Sequence, residues 1–351
     1  MKEVSEMLHV FLCGSCREER YVSALRFALQ GRQAHLVSDC SQLAGQRILF
    51  VVSLPESGVN HAVYDLLAYL RTHPHCLKGS VAGVWIDGCG DLYTKALGRE
   101  IVLAASLAGC AFPGRALVEG TGDLRNFAVQ AKNGGCTLEE AYRRAVRDLV
   151  ERVEGFAFAK KERPRLAVLH ASNHRTSNTA DLWKGVKERL GDRFDITEVA
   201  LRNGTLVDCS GCPYTMCLHF GEKGGCFYGG VMVEEVYPAI RDADAVVLLC
   251  PNYNDALSAN ITACINRLTA LYRTTSFQDK AVFALVVSGY SGSDIVASQV
   301  VSALSMNKGF WLPPEFCLMA TANDAGTAVK LPHIGERLDE FAQNMVRQLI
   351  G

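Results

Sequence analysis

The chain has 351 residues, of which 49% are hydrophobic and 21% charged, and its formal net charge is −1. This length suffices for two globular domains, and the balanced charge excludes the strongly basic surface of a protein that binds nucleic acid or an anionic membrane. No apolar run approaches the roughly 20 residues that span a bilayer, and the N-terminus lacks the basic and apolar regions of a signal peptide. We therefore predict a cytoplasmic globular protein without nucleic-acid or membrane partners.

The first half of the chain alternates short apolar segments with amphipathic ones. Strands are predicted at 9–12, 35–37, 47–53, 81–86 and 116–118. Helices are predicted at 18–30, 58–72, 92–108 and 138–154. Five strands that alternate with helices are typical of a parallel, doubly wound α/β sheet. The polar, charged segment 156–164 interrupts this pattern, and we interpret it as a linker that follows a first domain at 1–155.

The second half, a domain at 165–351, repeats the plan. Its strands are predicted at 165–170, 194–199, 244–250, 281–288 and 316–320. Its helices are predicted at 178–190, 231–241, 256–272, 293–306 and 333–349.

Single residues also recur between the halves. Pro55 follows the third strand of the first half and precedes Arg71 by the same spacing that separates Pro251 from Arg267. Such self-similarity favours a tandem duplication of one α/β domain, and two unrelated α/β domains are the alternative.

The loop after the first strand of the second half is rich in hydroxyl and amide side chains. The sequence runs from the strand at 165–170 through HASNHRTSNT into a helix that begins near Asn178. A helix start leaves backbone N–H groups unpaired and carries partial positive charge, so it favours a phosphate group. Ser172, Ser177 and Thr179 would add side-chain donors. The alternative is an ordinary capped connection between a strand and a helix.

The matching loop of the first half has a different charge. Glu18 and Glu19 stand where the second half has its Ser/Asn/Thr cluster, and carboxylates repel phosphate. We therefore predict that the first domain lacks a phosphate site. Cys13 and Cys16 in the same loop have the C-x-x-C spacing of a redox dithiol, and no other feature of the sequence supports that role. Other cysteines, such as Cys250 and Cys264, lie in apolar runs and are interpreted as core residues.

Two further loops follow predicted strands of the second half, at 251–255 and 288–292. In open α/β sheets the ligand binds beyond the carboxyl ends of the strands. Tyr253 and Tyr290 offer ring faces and edges, and Asn252 offers amide hydrogen bonds, a combination that suits a flat heteroaromatic ligand. Because ordinary turns are rich in the same residues, the prediction depends on the convergence of all three loops.

With these motifs, the second half resembles the NADPH-dependent FMN reductase family, and especially its iron-sulfur flavoprotein branch. HASNHRTSNT is similar to the family's phosphate-loop motif, PNYNDALSANITACINR to its segment at the flavin ring, and SGYSGSD to a third flavin loop. The resemblance implies an α/β fold in which a flavodoxin-like, doubly wound, parallel five-stranded sheet is duplicated in tandem, with a degenerate N-terminal copy that has no flavin site. It implies that FMN phosphate is bound by Ser172, His174, Ser177, Asn178 and Thr179, and the isoalloxazine ring by Pro251, Asn252, Tyr253, Asn254, Ser288, Gly289 and Gly292.

Four cysteines cluster between the second strand and the next helix of the second half. They are Cys209, Cys212, Cys217 and Cys226, with C-x2-C-x4-C-x8-C spacing. Thiolates close in sequence can ligate zinc or an iron-sulfur cluster. The iron-sulfur branch has a four-cysteine motif at this place with tighter spacing, whereas many relatives keep some of these cysteines without a metal. A [4Fe-4S] cluster, structural zinc and the absence of metal are therefore three open alternatives.

The resemblance implies an oxidoreductase that passes hydride or electrons from NAD(P)H through bound FMN to an unidentified small-molecule or protein acceptor, with or without the iron-sulfur cluster. No catalytic side chain is then required, which agrees with the lack of a Ser/His/Asp or paired-carboxylate motif. Relatives form dimers or tetramers, so we expect a homodimer or a pseudo-dimer of the two internal domains. An alternative from another class is a non-catalytic zinc-binding or redox-sensing module with a vestigial flavin pocket.

Overall fold

The computed structural model of the chain describes residues 7–14, 19–172, 177–202 and 204–351. It consists of two compact units, a first unit at 1–157 and a second unit at 158–351. Each unit contains one five-stranded sheet in which all the strands run parallel. Among the described residues, no helix is both long enough and apolar enough to cross a membrane.

The first unit builds its sheet in the order β2-β1-β3-β4-β5. Its strands are β1 (Leu8–Cys13), β2 (Ala34–Val37), β3 (Arg47–Leu54), β4 (Val81–Gly88) and β5 (Leu117–Gly120). Its helices are α1 (Glu19–Leu29), α2 (His61–Thr72), α3 (Thr94–Leu107), α4 (Ala128–Gly134) and α5 (Leu138–Glu154).

The second unit builds its sheet in the order β10-β9-β8-β6-β7. Its strands are β6 (Arg165–His170), β7 (Asp195–Ala200), β8 (Ala245–Pro251), β9 (Ala281–Ser288) and β10 (Cys317–Thr321). Its helices are α6 (Asn178–Leu190), α7 (Tyr214–Glu222), α8 (Tyr237–Asp242), α9 (Ala259–Tyr272), α10 (Ser293–Val300) and α11 (Ile334–Leu349). Segments of π-helix lead into α8 at Met232–Val236 and continue α10 at Val301–Lys308.

The two sheets have the same strand order, and it is the flavodoxin-like order 2-1-3-4-5. The likeness extends to details, since a parallel bridge joins Val81 to Ala111 in the first unit and Ala281 to Trp311 in the second. The predicted flavodoxin-like fold is confirmed, and its presence in both units is what a tandem duplication produces.

The boundary between the units lies inside the segment predicted as a linker, 156–164. Part of that segment is ordered within the second unit. The ring of Phe158 lies 4.7 Å from that of Trp311, and the backbone N–H of Lys161 donates to the carbonyl of Leu349 at 2.9 Å.

The strands form where the sequence has uninterrupted apolar runs, because a parallel sheet with helices on both faces buries both faces of its strands. All residues of β9 are buried, and its bounds are those that the sequence predicts. The pattern predicts neither α4 nor α7, since each is too short to show a helical repeat of apolar residues.

A buried ion pair crosses the carboxyl edge of the first unit's sheet. Asp87, near the end of β4, is 2% exposed, and the Arg20 guanidinium on α1 lies 2.6 Å from its carboxylate. The Tyr142 hydroxyl donates to the same carboxylate and accepts from Trp85 Nε1 at 2.6 Å. Arg20 also donates to the carbonyl of Thr121, in the loop after β5. Side chains from α1, β4 and α5 thus form hydrogen bonds with one another at this edge of the first unit.

The ion pair gives a stability prediction. We expect Arg20→Met to destabilise the first unit by about 3–5 kcal/mol, because it leaves the Asp87 carboxylate buried without its counter-charge. The control is Arg71→Met, which removes a guanidinium that is 59% exposed and 3.7 Å from Glu100, and should cost less than about 1 kcal/mol. Hydrogen exchange at β3 and β4 of the full chain measures the loss of stability in each variant. Equal losses in the two variants would contradict the prediction.

Candidate cofactor site

Three loops of the second unit follow neighbouring strands at the same edge of the sheet. Strand β8 pairs with β6 on one side and with β9 on the other, all in parallel register. The carboxyl ends of these strands are therefore adjacent, and the loops after them share one edge. This arrangement brings the described parts of the phosphate loop, 171–172 and 177, to the same edge as the two ring-binding loops that the sequence predicts.

Three hydroxyl groups meet at the start of α6. The Thr179 hydroxyl lies 3.0 Å from that of Ser172 and 2.8 Å from that of Ser177. Ser177 is also the N-cap, since its hydroxyl accepts from the backbone N–H of Ala180 at 3.2 Å. Hydroxyl donors beside the positive end of a helix form a site for an anion such as a phosphate group.

Two other residues predicted to bind phosphate do not contribute side chains to this hydroxyl cluster. The Asn178 side-chain amide donates to the carbonyls of Ala322 and Asp324, at 3.1 and 2.9 Å, and its oxygen accepts from Ala328 N at 3.3 Å. The side chain thus ties α6 to the loop after β10, and a phosphate at this helix would meet the Asn178 backbone rather than its amide. His174 lies outside the described residues.

Asn252, just after β8, connects the two ring-binding loops. Its Nδ2 lies 3.0 Å from the Ser288 hydroxyl, 3.1 Å from the Ser291 carbonyl and 3.1 Å from Asp255 Oδ1. Ser288 is fully buried, and its hydroxyl lies 2.8 Å from that of Ser293. The Oδ1 atom of Asn252 is buried and has no hydrogen-bond partner among the residues that the structure describes. Because the contacts of Nδ2 hold the Asn252 amide in place, its Oδ1 atom is positioned to accept a hydrogen bond from a ligand.

Glycine is required in the loop after β9. Gly292 has a φ of +84°, a region that side chains disfavour, and a Cβ there would collide with Asp255 Oδ1. A Cβ at Gly289 would lie 3.0 Å from Asn323 Oδ1. Asn254 and Asp255 also have positive φ, at 54° and 56°. The absence of a Cβ at Gly289 and Gly292 lets the neighbouring loops pack closely, and Asn254 and Asp255 are residue types that tolerate positive φ better than most.

The two tyrosines of these loops face solvent. Tyr253 is 56% exposed and Tyr290 is 82% exposed. Pro251 ends β8, and the backbone N–H of Asn252 continues the pairing by donating to the Val287 carbonyl at 2.8 Å. Large exposed rings on these two loops are available for stacking contacts with a flat ligand.

Sequence reasoning did not select three residues that shape the site. Gln299 accepts from Leu257 N at 2.9 Å and donates to the Asp255 carbonyl at 3.1 Å, so it fixes the turn after β8. Ser293 supports Ser288, and Asn323 lies against Gly289. Only Ser293 had a signal, its place directly after the SGYSG segment.

The four clustered cysteines do not converge. Within the described part of the chain, no three Cys, His, Asp or Glu side chains are placed so that they could hold a metal ion. Cys209 is exposed, and the other three are half-buried. The side chains as arranged do not fit a [4Fe-4S] cluster or tetrahedral zinc, so the predicted site at Cys209, Cys212, Cys217 and Cys226 is not formed in this structure.

Other cysteines are core residues. Cys250 and Cys264 are buried, and burial raises the pKa of the Cys264 thiol to about 12. Burial likewise raises the pKa of Cys13 to about 12, whereas Cys16 lies outside the described residues. A thiol that stays protonated is a poor nucleophile, which disfavours the redox interpretation of the C-x-x-C pair.

Among solved structures, proteins that each match about half of the chain are similar to it. The chain is similar to an NAD(P)H:quinone oxidoreductase from Methanothermobacter marburgensis, with 15% identity, 52% of this chain and 97% of that one covered, and a TM-score of 0.40. It is also similar to an FMN-dependent NADH-azoreductase from Bacillus anthracis str. Ames Ancestor in complex with FMN, with 10% identity, coverage of 52% and 99%, and a TM-score of 0.35. No curated protein matches the chain.

A family model matches most of the second unit. The model of NADPH-dependent FMN reductases matches residues 164–324. This segment includes β6 to β10 and all three loops of the candidate site. Residues 164–324 therefore match the NADPH-dependent FMN reductase family, which confirms the resemblance that the sequence motifs indicate.

Proposed function

We propose that the second unit binds FMN and acts as an NAD(P)H-dependent oxidoreductase, which passes hydride or electrons through the flavin to an acceptor that is still unidentified. The family match supports the class of reaction. The observation that carries the proposal is the shared edge of three neighbouring strands. One loop at this edge carries a cluster of hydroxyls at a helix start, and another carries the buried amide oxygen of Asn252, which has no hydrogen-bond partner among the described residues.

The hydroxyl cluster would hold the phosphate of FMN. Ser172, Ser177 and Thr179 offer short side chains that leave room for an anion at the start of α6. The backbone N–H groups of the first helical turn add donors and partial positive charge. Because the Asn178 amide is used elsewhere, the hydroxyls and the backbone carry this role.

The loops after β8 and β9 would hold the isoalloxazine ring. The Oδ1 atom of Asn252 offers an acceptor for a ring N–H, and the contacts of Nδ2 keep the amide in place. The glycines at 289 and 292 let the backbone approach the ring closely. When bound, FMN supplies the ring that accepts hydride and releases electrons singly or in pairs. The exposed rings of Tyr253 and Tyr290 would offer stacking surfaces to the flavin or to NAD(P)H.

We do not extend this proposal to the first unit or to the cysteines. The ion pair between Arg20 and Asp87 crosses the first unit's carboxyl edge, which supports a degenerate copy without a flavin site. The cysteines of the second unit do not converge on a metal, so no electron transfer step is routed through them. The match to a reductase family favours this function over a non-catalytic module. The homodimer and the internal pseudo-dimer remain predictions.

The first experiment is anaerobic purification followed by an optical spectrum, with iron, sulfide and zinc analysis of the same sample. We expect flavin bands near about 375 and 450 nm, as purified or after addition of FMN, and bleaching of the longer-wavelength band by NADPH or NADH. A protein that binds no FMN after reconstitution would overturn the proposal. Zinc without flavin would favour the non-catalytic module.

The glycine at 292 allows a test of the ring site. We expect Gly292→Ala to weaken FMN binding by more than about tenfold, because the methyl group collides with Asp255 and strains the backbone. Gly326→Ala is the matched control, since its φ is also positive, at 71°, but nothing lies within 4 Å of the added Cβ. Fluorescence titration with FMN compares the variants, and equal losses would show that collision at Gly292 is not the cause.

A further inference from the structure

The second unit differs from the first in a long insertion that covers a helix. Residues 201–244 connect β7 to β8, whereas only 38–46 connect β2 to β3. Arg71 on α2 is 59% exposed and lies 3.7 Å from Glu100. Its counterpart Arg267 on α9 is 2% exposed. The insertion therefore covers a helix face that is open in the first unit.

Hydrogen bonds join the part of this insertion that contains the cysteines to α9. We call residues 204–231, which contain the four clustered cysteines, the cysteine loop. Near its start, the Asp208 carboxylate accepts from Asn266 Nδ2 at 3.0 Å. Near its end, the Gly229 carbonyl accepts from Arg267 Nη2 at 2.8 Å. Both ends of the loop thus meet neighbouring residues of one helix.

The middle of the cysteine loop contacts the next turns of α9. The Arg273 guanidinium, just after the helix, lies 4.3 Å from the centre of the Tyr214 ring on α7. The Gly221 backbone packs so closely on the helix that a Cβ there would lie 2.7 Å from the Ala270 carbonyl oxygen. The contacted residues 266, 267, 270 and 273 recur at the spacing of one helix face.

We infer that the cysteine loop is docked on α9 by these contacts and that its docking needs no metal ion. None of the contacts uses a sulfur atom, and they extend from the start of the loop to its end. Among the described residues, no three of the thiols and other ligating groups are placed to share a metal. Of the three alternatives for these cysteines, this favours the absence of metal over the [4Fe-4S] cluster that the iron-sulfur branch implies and over structural zinc. The thiols remain accessible in the folded chain, Cys209 most of all.

Removal of the thiols tests the inference directly. In a variant with serine at 209, 212, 217 and 226, we expect hydrogen exchange of the cysteine loop within about twofold of the parent, because the contacts with α9 remain. Treatment of the parent with a chelator should likewise leave exchange unchanged. Loss of protection in the variant, or a stoichiometric metal whose removal releases the loop, would overturn the inference. Because exchange is read without added flavin, failure of the FMN proposal would leave this result intact.

Accessibility gives a second readout on the native chain. We expect iodoacetamide to alkylate Cys209 faster than Cys250 and Cys264, which are buried in the core. Peptide mass spectrometry resolves these sites. Protection of Cys209 that a chelator abolishes would contradict the inference.

Gly221 provides the test of the contact itself. Gly221→Ala should speed exchange of the cysteine loop by more than about tenfold, since the added methyl group meets a backbone carbonyl that cannot move away. Alanine also favours helix more than glycine does, so loss of helix propensity in α7 cannot explain such an effect. Gly225→Ala is the matched control, because the nearest atom to its Cβ is a Val233 methyl at 3.7 Å.

The outcomes at the two glycines are decisive. Faster exchange in Gly221→Ala alone, with β8 and β9 unchanged, supports docking on α9. Unchanged exchange in Gly221→Ala would overturn it. Arg267 is less suitable for this test, because Nε and Nη1 have no acceptor among the described residues, and a substitution would also remove a buried charge.

Discussion

The parallel pairing of β8 with β6 and β9 is the constraint on which the candidate site depends. It places the carboxyl ends of three strands side by side, although the loops that follow them are far apart in sequence. Each loop alone is an ordinary turn or helix cap. Together they put hydroxyls, an amide oxygen and flexible glycines along one edge, which is where open α/β sheets bind ligands.

The same strand order in the first unit leads to a different edge. There the carboxylate of Asp87 is paired with Arg20 and receives a hydrogen bond from Tyr142, so the polar groups satisfy one another. In the second unit the Nδ2 atom of Asn252 is held by hydrogen bonds, while its Oδ1 atom has no partner in the part of the chain that the structure describes. The described side chains thus pair with one another at the edge of the first unit, whereas the edge of the second unit leaves one buried acceptor without a partner among the described residues. The difference lies in a few side chains and not in the backbone topology.

The sequence predicts the sheet well because the apolar runs that form buried strands are local signals. The bounds of β9 and the start of α6 at Asn178 follow from residues within a few positions. The use of the Asn178 amide, the turn contacts of Gln299 and the burial of Arg267 depend on segments distant in sequence, so no local pattern reveals them. Local patterns are likewise insufficient for the cysteines. Their spacing brings the thiols close along the chain, but among the described residues no three ligating groups are placed to share a metal ion.

The unpaired edge of the second unit also has an energetic consequence. A buried acceptor without a donor and two consecutive non-glycine residues at positive φ, Asn254 and Asp255, each raise the free energy of the folded state. A ligand that donates to the Asn252 oxygen removes part of this cost only in the folded state, and mass action then couples its concentration to the stability of the unit. The geometry that makes this edge of the second unit a candidate binding site therefore also couples the stability of the unit to its ligand, whereas the Asp87 carboxylate of the first unit already has its counter-charge in Arg20.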